Sequence, residues 1–131
     1  MEERNTAPPR DRDGSLLNQL LAYELRCARR HRRFVSLVLI RNGKSFSDYR
    51  ELLANLIRDC DELMEFEGGA AILMTETPAV GAAKVMERFR ARLAGAKNLR
   101  LAAASFPADG QTSDTLLGKG RERLHNAESG L

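Results

Sequence analysis

The sequence predicts an α+β fold, a four-stranded antiparallel-type sheet covered by helices, and three observations carry that prediction. Apolar residues recur at helical spacing in four stretches, the first marked by Leu16, Leu17, Leu20, Leu21 and Cys27. Between these stretches lie short apolar runs, the longest being Phe34-Val35-Ser36-Leu37-Val38-Leu39-Ile40. Two such runs meet across Glu67-Gly68-Gly69, which reads as a hairpin turn. With 131 residues, 43% of them hydrophobic, the chain has enough material for one core and too little for two. No apolar run approaches the roughly 20 residues that a membrane-spanning helix needs, so no membrane role is expected.

The elements follow in order. Residues 1–13 alternate in charge, carry Pro8-Pro9 and show no periodicity, which reads as a flexible arm ahead of one domain over 14–131. Ser15 suits the N-cap of the first helix, whose last turns are rich in arginine, complementing the helix dipole. Phe34 to Ile40, apolar on both faces, reads as a central, doubly covered strand, broken by Asn42-Gly43-Lys44-Ser45. A second helix is expected from near Ser47-Asp48 through Leu52, Leu53, Leu56 and Ile57. Leu63–Phe66 and Ala70–Met74 form the hairpin, with Gly68 and Gly69 both in its turn. Pro78 starts a third helix that turns Val85, Met86, Phe89 and Leu93 inward and stops near Gly95. Leu99–Phe106 is a small-residue strand, Pro107-Ala108-Asp109-Gly110 a turn, and Thr112 or Ser113 caps a last helix bearing Leu116, Leu117 and Leu124. Without the outer helices this is β-α-β-β-α-β, the split βαβ or ferredoxin-like order, which hosts many unrelated activities.

Charge and reactive side chains narrow the chemistry. The net charge of +3 is too small for a polycation, yet Arg26, Arg29, Arg30, Arg32 and Arg33 crowd around His31. This reads first as a solvated helix end, and beside that as a partner surface built on Arg26, Arg29, Arg30 and Arg33. No aromatics interleave the arginines, which argues against nucleic acid. Cys27 and Cys60 lack metal-ligand spacing, so two reduced thiols, a cytoplasmic location and no bound metal or cofactor are expected. No apolar segment follows the N-terminal charges, so no signal peptide is expected. His31 and His125 stand apart from any nucleophile. Asp59, Asp61, Glu62, Glu65 and Glu67 alternate with Leu63, Met64 and Phe66, which reads as the solvent face of a strand.

An ordered set of motifs adds a resemblance. Asp13-Gly14-Ser15-Leu16-Leu17-Asn18-Gln19 and Glu24-Leu25-Arg26-Cys27-Ala28-Arg29-Arg30 stand at the start. Arg58-Asp59-Cys60-Asp61 is followed, after five intervening residues, by Glu67-Gly68-Gly69-Ala70-Ala71 and a strand ending in Thr75-Glu76-Thr77. Phe106-Pro107-Ala108-Asp109-Gly110-Gln111-Thr112, Leu116-Leu117 and Gly120 to Glu128 close the series. Together they resemble, over residues 13–130, a degenerate GGDEF (diguanylate cyclase-like) domain, and imply that nucleotide-cyclase-like fold. Cyclases of this family join two GTP molecules on metal ions held by carboxylates. Here Arg41 or Asn42 holds the first-strand position, and Ala70 or Ala71 the acidic position of the signature hairpin Glu67, Gly68, Gly69, Ala70, Ala71. The segment that recognises guanine is shortened to about Asn42–Tyr49. The resemblance therefore implies a module without catalysis.

The same resemblance implies a ligand site. Family members bind cyclic di-GMP at an inhibitory R-x-x-D, here Arg58 and Asp61, with a further arginine that matches Arg88. Arginine forks suit guanine O6/N7 or phosphate, and a carboxylate accepts from guanine N–H groups. Two functions remain open: a cyclic di-GMP receptor, or a nucleotide-independent module of a bacterial signalling pathway that binds a protein partner or a second copy through its arginine-rich helix.

Overall fold

The computed structural model describes residues 15–93 and 95–129. The expected arm at 1–13, with Asp13 and Gly14 of the first motif, lies outside them. The order is α1 (Ser15–His31), β1 (Val35–Arg41), α2 (Phe46–Leu53), β2 (Glu62–Phe66), β3 (Gly69–Thr75), α3 (Ala79–Arg92), β4 (Arg100–Phe106) and α4 (Ser113–Ser129). The four strands form one antiparallel sheet in the order β2-β3-β1-β4. Both the α+β class and the βαββαβ core expected from the sequence are present.

The apolar runs explain the layering. Along β1 alternate side chains go to opposite faces, and both faces are covered. Leu37 and Leu39 join Leu17, Leu21, Leu25, Leu116, Leu117 and Leu124 under α1 and α4. Val38 and Ile40 join Tyr49, Leu53, Val85 and Phe89 under α2 and α3. A strand sealed on both sides has no use for polar alternation, which is why this segment reads as one continuous hydrophobic run. Ser36 is the polar exception, and it is satisfied within the core: its hydroxyl donates to the Thr77 carbonyl at 2.6 Å and lies 2.7 Å from the Ser105 hydroxyl.

Local chemistry sets the boundaries. α1 ends where Arg32 takes a left-handed φ of 55° and the Arg33 amide donates to the Ala28 carbonyl at 2.9 Å, satisfying one terminal carbonyl. Ser45 caps α2 by accepting from the Asp48 amide at 3.2 Å, so the helix opens at Phe46, one residue before the expected Ser47. Thr112 caps α4, accepting from the Thr115 amide at 3.1 Å.

Three expectations need correction. α2 stops at Leu53, and Leu56 and Ile57 follow in a turn closed by the Leu56 amide on the Leu53 carbonyl; both still pack partly buried on the core, which produced their helical spacing. The hairpin turn is Glu67-Gly68, with φ of 47° and 80°, and not Gly68-Gly69. Gly69 is the first residue of β3, where a Cβ would collide with the Ile40 carbonyl oxygen, so close strand approach is what requires glycine there. Asp61 does not lie on a solvent face; it is buried.

Candidate ligand site at the Arg58–Asp61 turn

The chain between α2 and β2 has no helix or ladder to satisfy its backbone, and Asp61 supplies the missing partners. The Asp61 amide donates to the Arg58 carbonyl at 3.0 Å, and the Arg58 amide donates to Asp61 Oδ2 at 2.9 Å, closing the turn from both ends. Arg58 Nη2 then donates to Asp61 Oδ1 at 3.1 Å, to the Thr75 carbonyl at 2.8 Å and to Thr77 Oγ1 at 2.9 Å. The hydrogen bond that Arg58 donates to Asp61 raises the Arg58 pKa above its ordinary value, so the guanidinium stays charged.

These bonds give the two residues different roles. The Asp61 side chain is 1% exposed, while that of Arg58 is 53% exposed. Asp61 is thus held inside the turn with both oxygens engaged, and Arg58 is the member of the pair that solvent or a ligand meets. Arg88 lies on the exposed side of α3, which packs chiefly on β4 and β1, and it is among the partners of neither Arg58 nor Asp61. A cavity of about 290 Å³ lies beside the turn, lined by Cys60 and Thr75 together with Cys27, Arg33, Phe34 and Glu76. Cys27 and Cys60 are free thiols.

The signature hairpin is built into the sheet. Ala70 pairs with Ile40 and Ala71 with Leu39 across β1, and both alanine side chains are buried, one under each helical layer. Glu67, at the turn, accepts from Arg121 Nε at 2.9 Å and lies 2.7 Å from its Nη2, tying the hairpin to α4. Arg41, at the end of β1, pairs across the ladder with Arg100. Among the described residues no group of three or more His, Cys, Asp or Glu gathers to hold a metal ion.

The arginine cluster of α1 divides. Arg29 Nη1 donates to the Gln111 carbonyl at 2.7 Å, and Arg33 Nη1 to Glu76 Oε2 at 2.9 Å, so both brace the domain. Arg26 lies 5.7 Å over the Tyr23 ring and shares the outer face with Arg30 and His31. Sequence reasoning missed Thr77 as an anchor of Arg58, and Asn98 and Arg100 beside Arg41. Their proximity comes from strand register, which no local spacing encodes.

No protein-family model matches the chain, and no curated protein does. Among solved structures, the GGDEF domain of YfiN (TpbB) from Pseudomonas aeruginosa is 15% identical, with a TM-score of 0.77 over 97% of this chain and 94% of that one. The diguanylate cyclase SiaD of the same organism, solved in complex with its activator SiaC, is 15% identical, with a TM-score of 0.71 over 92% of this chain and 58% of that one. The coiled coil and GGDEF domain of DgcB from Caulobacter crescentus, solved in complex with c-di-GMP, is 10% identical, with a TM-score of 0.66 over 87% and 74%. At these identities the likeness establishes architecture, and the chain has the fold of GGDEF domains.

Proposed function

We propose that this chain is a cyclase-fold module that binds a ligand in place of performing catalysis, and that the ligand is cyclic di-GMP. The observation that carries the reading is the Arg58 guanidinium, half exposed and held from behind by Asp61, Thr75 and Thr77. A pre-oriented, charged fork loses little freedom when it meets a guanine edge or a phosphate. Asp61 acts here as a positioning residue. The DgcB structure, a GGDEF domain with c-di-GMP, supports the ligand class.

The loss of catalysis rests on the charge inversion at the end of β1. Bringing two triphosphates together without divalent ions forgoes the main electrostatic stabilisation of that reaction. Incubation with GTP and Mg²⁺ or Mn²⁺ is expected to yield no cyclic product, and turnover above the blank refutes this part. Calorimetric titration of ligand-free protein with cyclic di-GMP tests the other part: heat at micromolar ligand is expected, and its absence at tens of micromolar removes the receptor reading.

A second reading has its own observation. Tyr23 and Phe34 are large apolar side chains exposed to 54% and 47%, and Arg26 and Arg30 lie on the same side of the domain as Tyr23. Aromatic and arginine side chains are the usual anchors of protein interfaces. SiaD, solved with its activator, is a protein of this fold with a protein partner. In this reading α1 docks a signalling partner, and the double charge reversal Arg26→Glu, Arg30→Glu abolishes capture of that partner without unfolding the domain. Unchanged capture counts against it.

A further inference from the structure

We propose that Cys27 and Cys60 form an oxidative modification site, in which a peroxide joins the two thiols as a disulfide and pulls the Arg58 turn out of its ligand-binding arrangement. The two cysteines are free and lie on separate elements, Cys27 on α1 and Cys60 in the turn between α2 and β2. Both line the same cavity of about 290 Å³. Free cysteine is ordinarily among the most buried side chains, so packing does not account for Cys60, which is exposed. An accessible thiol with a second one across a shared cavity is the arrangement of a reacting and a resolving cysteine.

The cavity backs directly onto the Arg58 site. Cys60 Sγ donates to Asp61 Oδ1 at 4.0 Å, the same oxygen that accepts from Arg58 Nη2 at 3.1 Å. Thr75, whose carbonyl accepts from Arg58 Nη2 at 2.8 Å, lines the cavity as well. A disulfide holds its two Cα atoms about 4.4–6.8 Å apart, so bond formation closes the cavity and draws residue 60 toward α1. No strand ladder resists that movement, because the turn is closed by the local bonds between Arg58 and Asp61. Asp61 moves with Cys60, its chain neighbour, whereas Thr75 and Thr77 stay with the sheet. Arg58 is then divided between anchors that no longer coincide.

The chemistry is a two-electron oxidation with a peroxide as oxidant. The Cys60 sulfur, after losing its proton, attacks one peroxide oxygen; the O–O bond breaks, and the departing hydroxide takes up that proton as water. The sulfenic acid left on Cys60 is attacked by the Cys27 sulfur, which forms the S–S bond, breaks the S–O bond and releases a second water carrying the Cys27 proton. Two thiols are oxidised and one peroxide is reduced to two waters. A small dithiol reverses the step by exchange.

The effect on cyclic di-GMP rests on the receptor reading above, whereas formation of the bond does not, and the test separates them. Reduced, ligand-free protein is treated with hydrogen peroxide, alkylated with N-ethylmaleimide and weighed intact by mass spectrometry. The wild type is expected to lose two hydrogens, take up no maleimide and yield a Cys27–Cys60 peptide on digestion, all reversed by dithiothreitol. Cys27→Ser is expected to stop at a sulfenic acid on Cys60 that dimedone traps, and Cys60→Ser to form no disulfide; circular dichroism reports the folding of both. Amide chemical shifts at Arg58 and Asp61 are expected to differ between the reduced and oxidised forms, and calorimetry to show at least tenfold weaker cyclic di-GMP binding after oxidation. No heat from the reduced form removes the receptor reading alone, and the mass and the amide shifts then decide the modification site. Thiols that both remain alkylatable, a disulfide that links two chains, or amide shifts and affinity unchanged by oxidation overturn the proposal.

Discussion

Replacing Asp61 by alanine isolates the claim that this residue builds the ligand site from within. Its buried carboxylate accepts from the Arg58 amide at 2.9 Å and from Arg58 Nη2 at 3.1 Å. Bonds to a buried carboxylate contribute about 1.5–3 kcal/mol each, but the guanidinium partner is half exposed and its share is screened, so the backbone bond dominates. The expected loss in Asp61→Ala is about 2–3 kcal/mol, which for a domain of this size lowers Tm by about 8–12 °C. Asp61→Asn retains one acceptor for the Arg58 amide, and its expected cost is about 1 kcal/mol. Urea unfolding followed by far-UV circular dichroism measures both, with an unchanged m-value as the sign that the unfolded state is not the source. If Asp61→Ala falls within about 0.5 kcal/mol of the parent, the carboxylate does not hold the turn and the positioning role is refuted.

Other predictions concern the frame around the sites. Gly69→Ala forces a methyl group onto the Ile40 carbonyl of the central strand and is expected to cost about 2–3 kcal/mol in urea unfolding, while Gly68→Ala, strained but unobstructed, costs about 1 kcal/mol. Arg32→Gly relieves a left-handed residue at the end of α1 and is expected to stabilise by about 0.5–1 kcal/mol in the same assay. The Asp109 carboxyl lies below its ordinary pKa, first because Arg123 hydrogen-bonds it and further because the Ser105 amide donates to it. A depressed carboxyl stabilises fully above its unfolded value of about 3.9 and loses that contribution as pH falls through its folded value. Unfolding midpoints are therefore expected to drop below about pH 4, and Asp109→Asn to flatten that drop.

The sequence revealed the layering more readily than the sites. Phe34 to Ile40 announces a doubly covered strand because burial on both faces removes polar alternation, and Glu67 to Ala71 announces a hairpin because positive φ at a tight turn favours glycine. Gly69 reads as part of that turn because a glycine needed for strand approach looks the same in sequence as one needed for a turn. Asp61 looked like one more surface acid in an alternating run, since nothing local shows that its carboxylate turns back to the Arg58 amide. Leu56 and Ile57 mimic a helix face because an irregular segment laid over a core also buries residues at intervals. Arg41 was visible as a misplaced charge, but its neighbours Asn98 and Arg100 arrive through the β1–β4 register, a long-range property.

The most direct test of the account is the affinity for cyclic di-GMP of the wild-type protein against Arg58→Ala, measured by isothermal titration on ligand-free samples with matched unfolding midpoints. The account predicts binding to the wild type and at least a tenfold loss in the variant, because the exposed fork is removed while Asp61 still closes the turn. Equal affinity in the two proteins, or no heat from the wild type at tens of micromolar ligand, contradicts it.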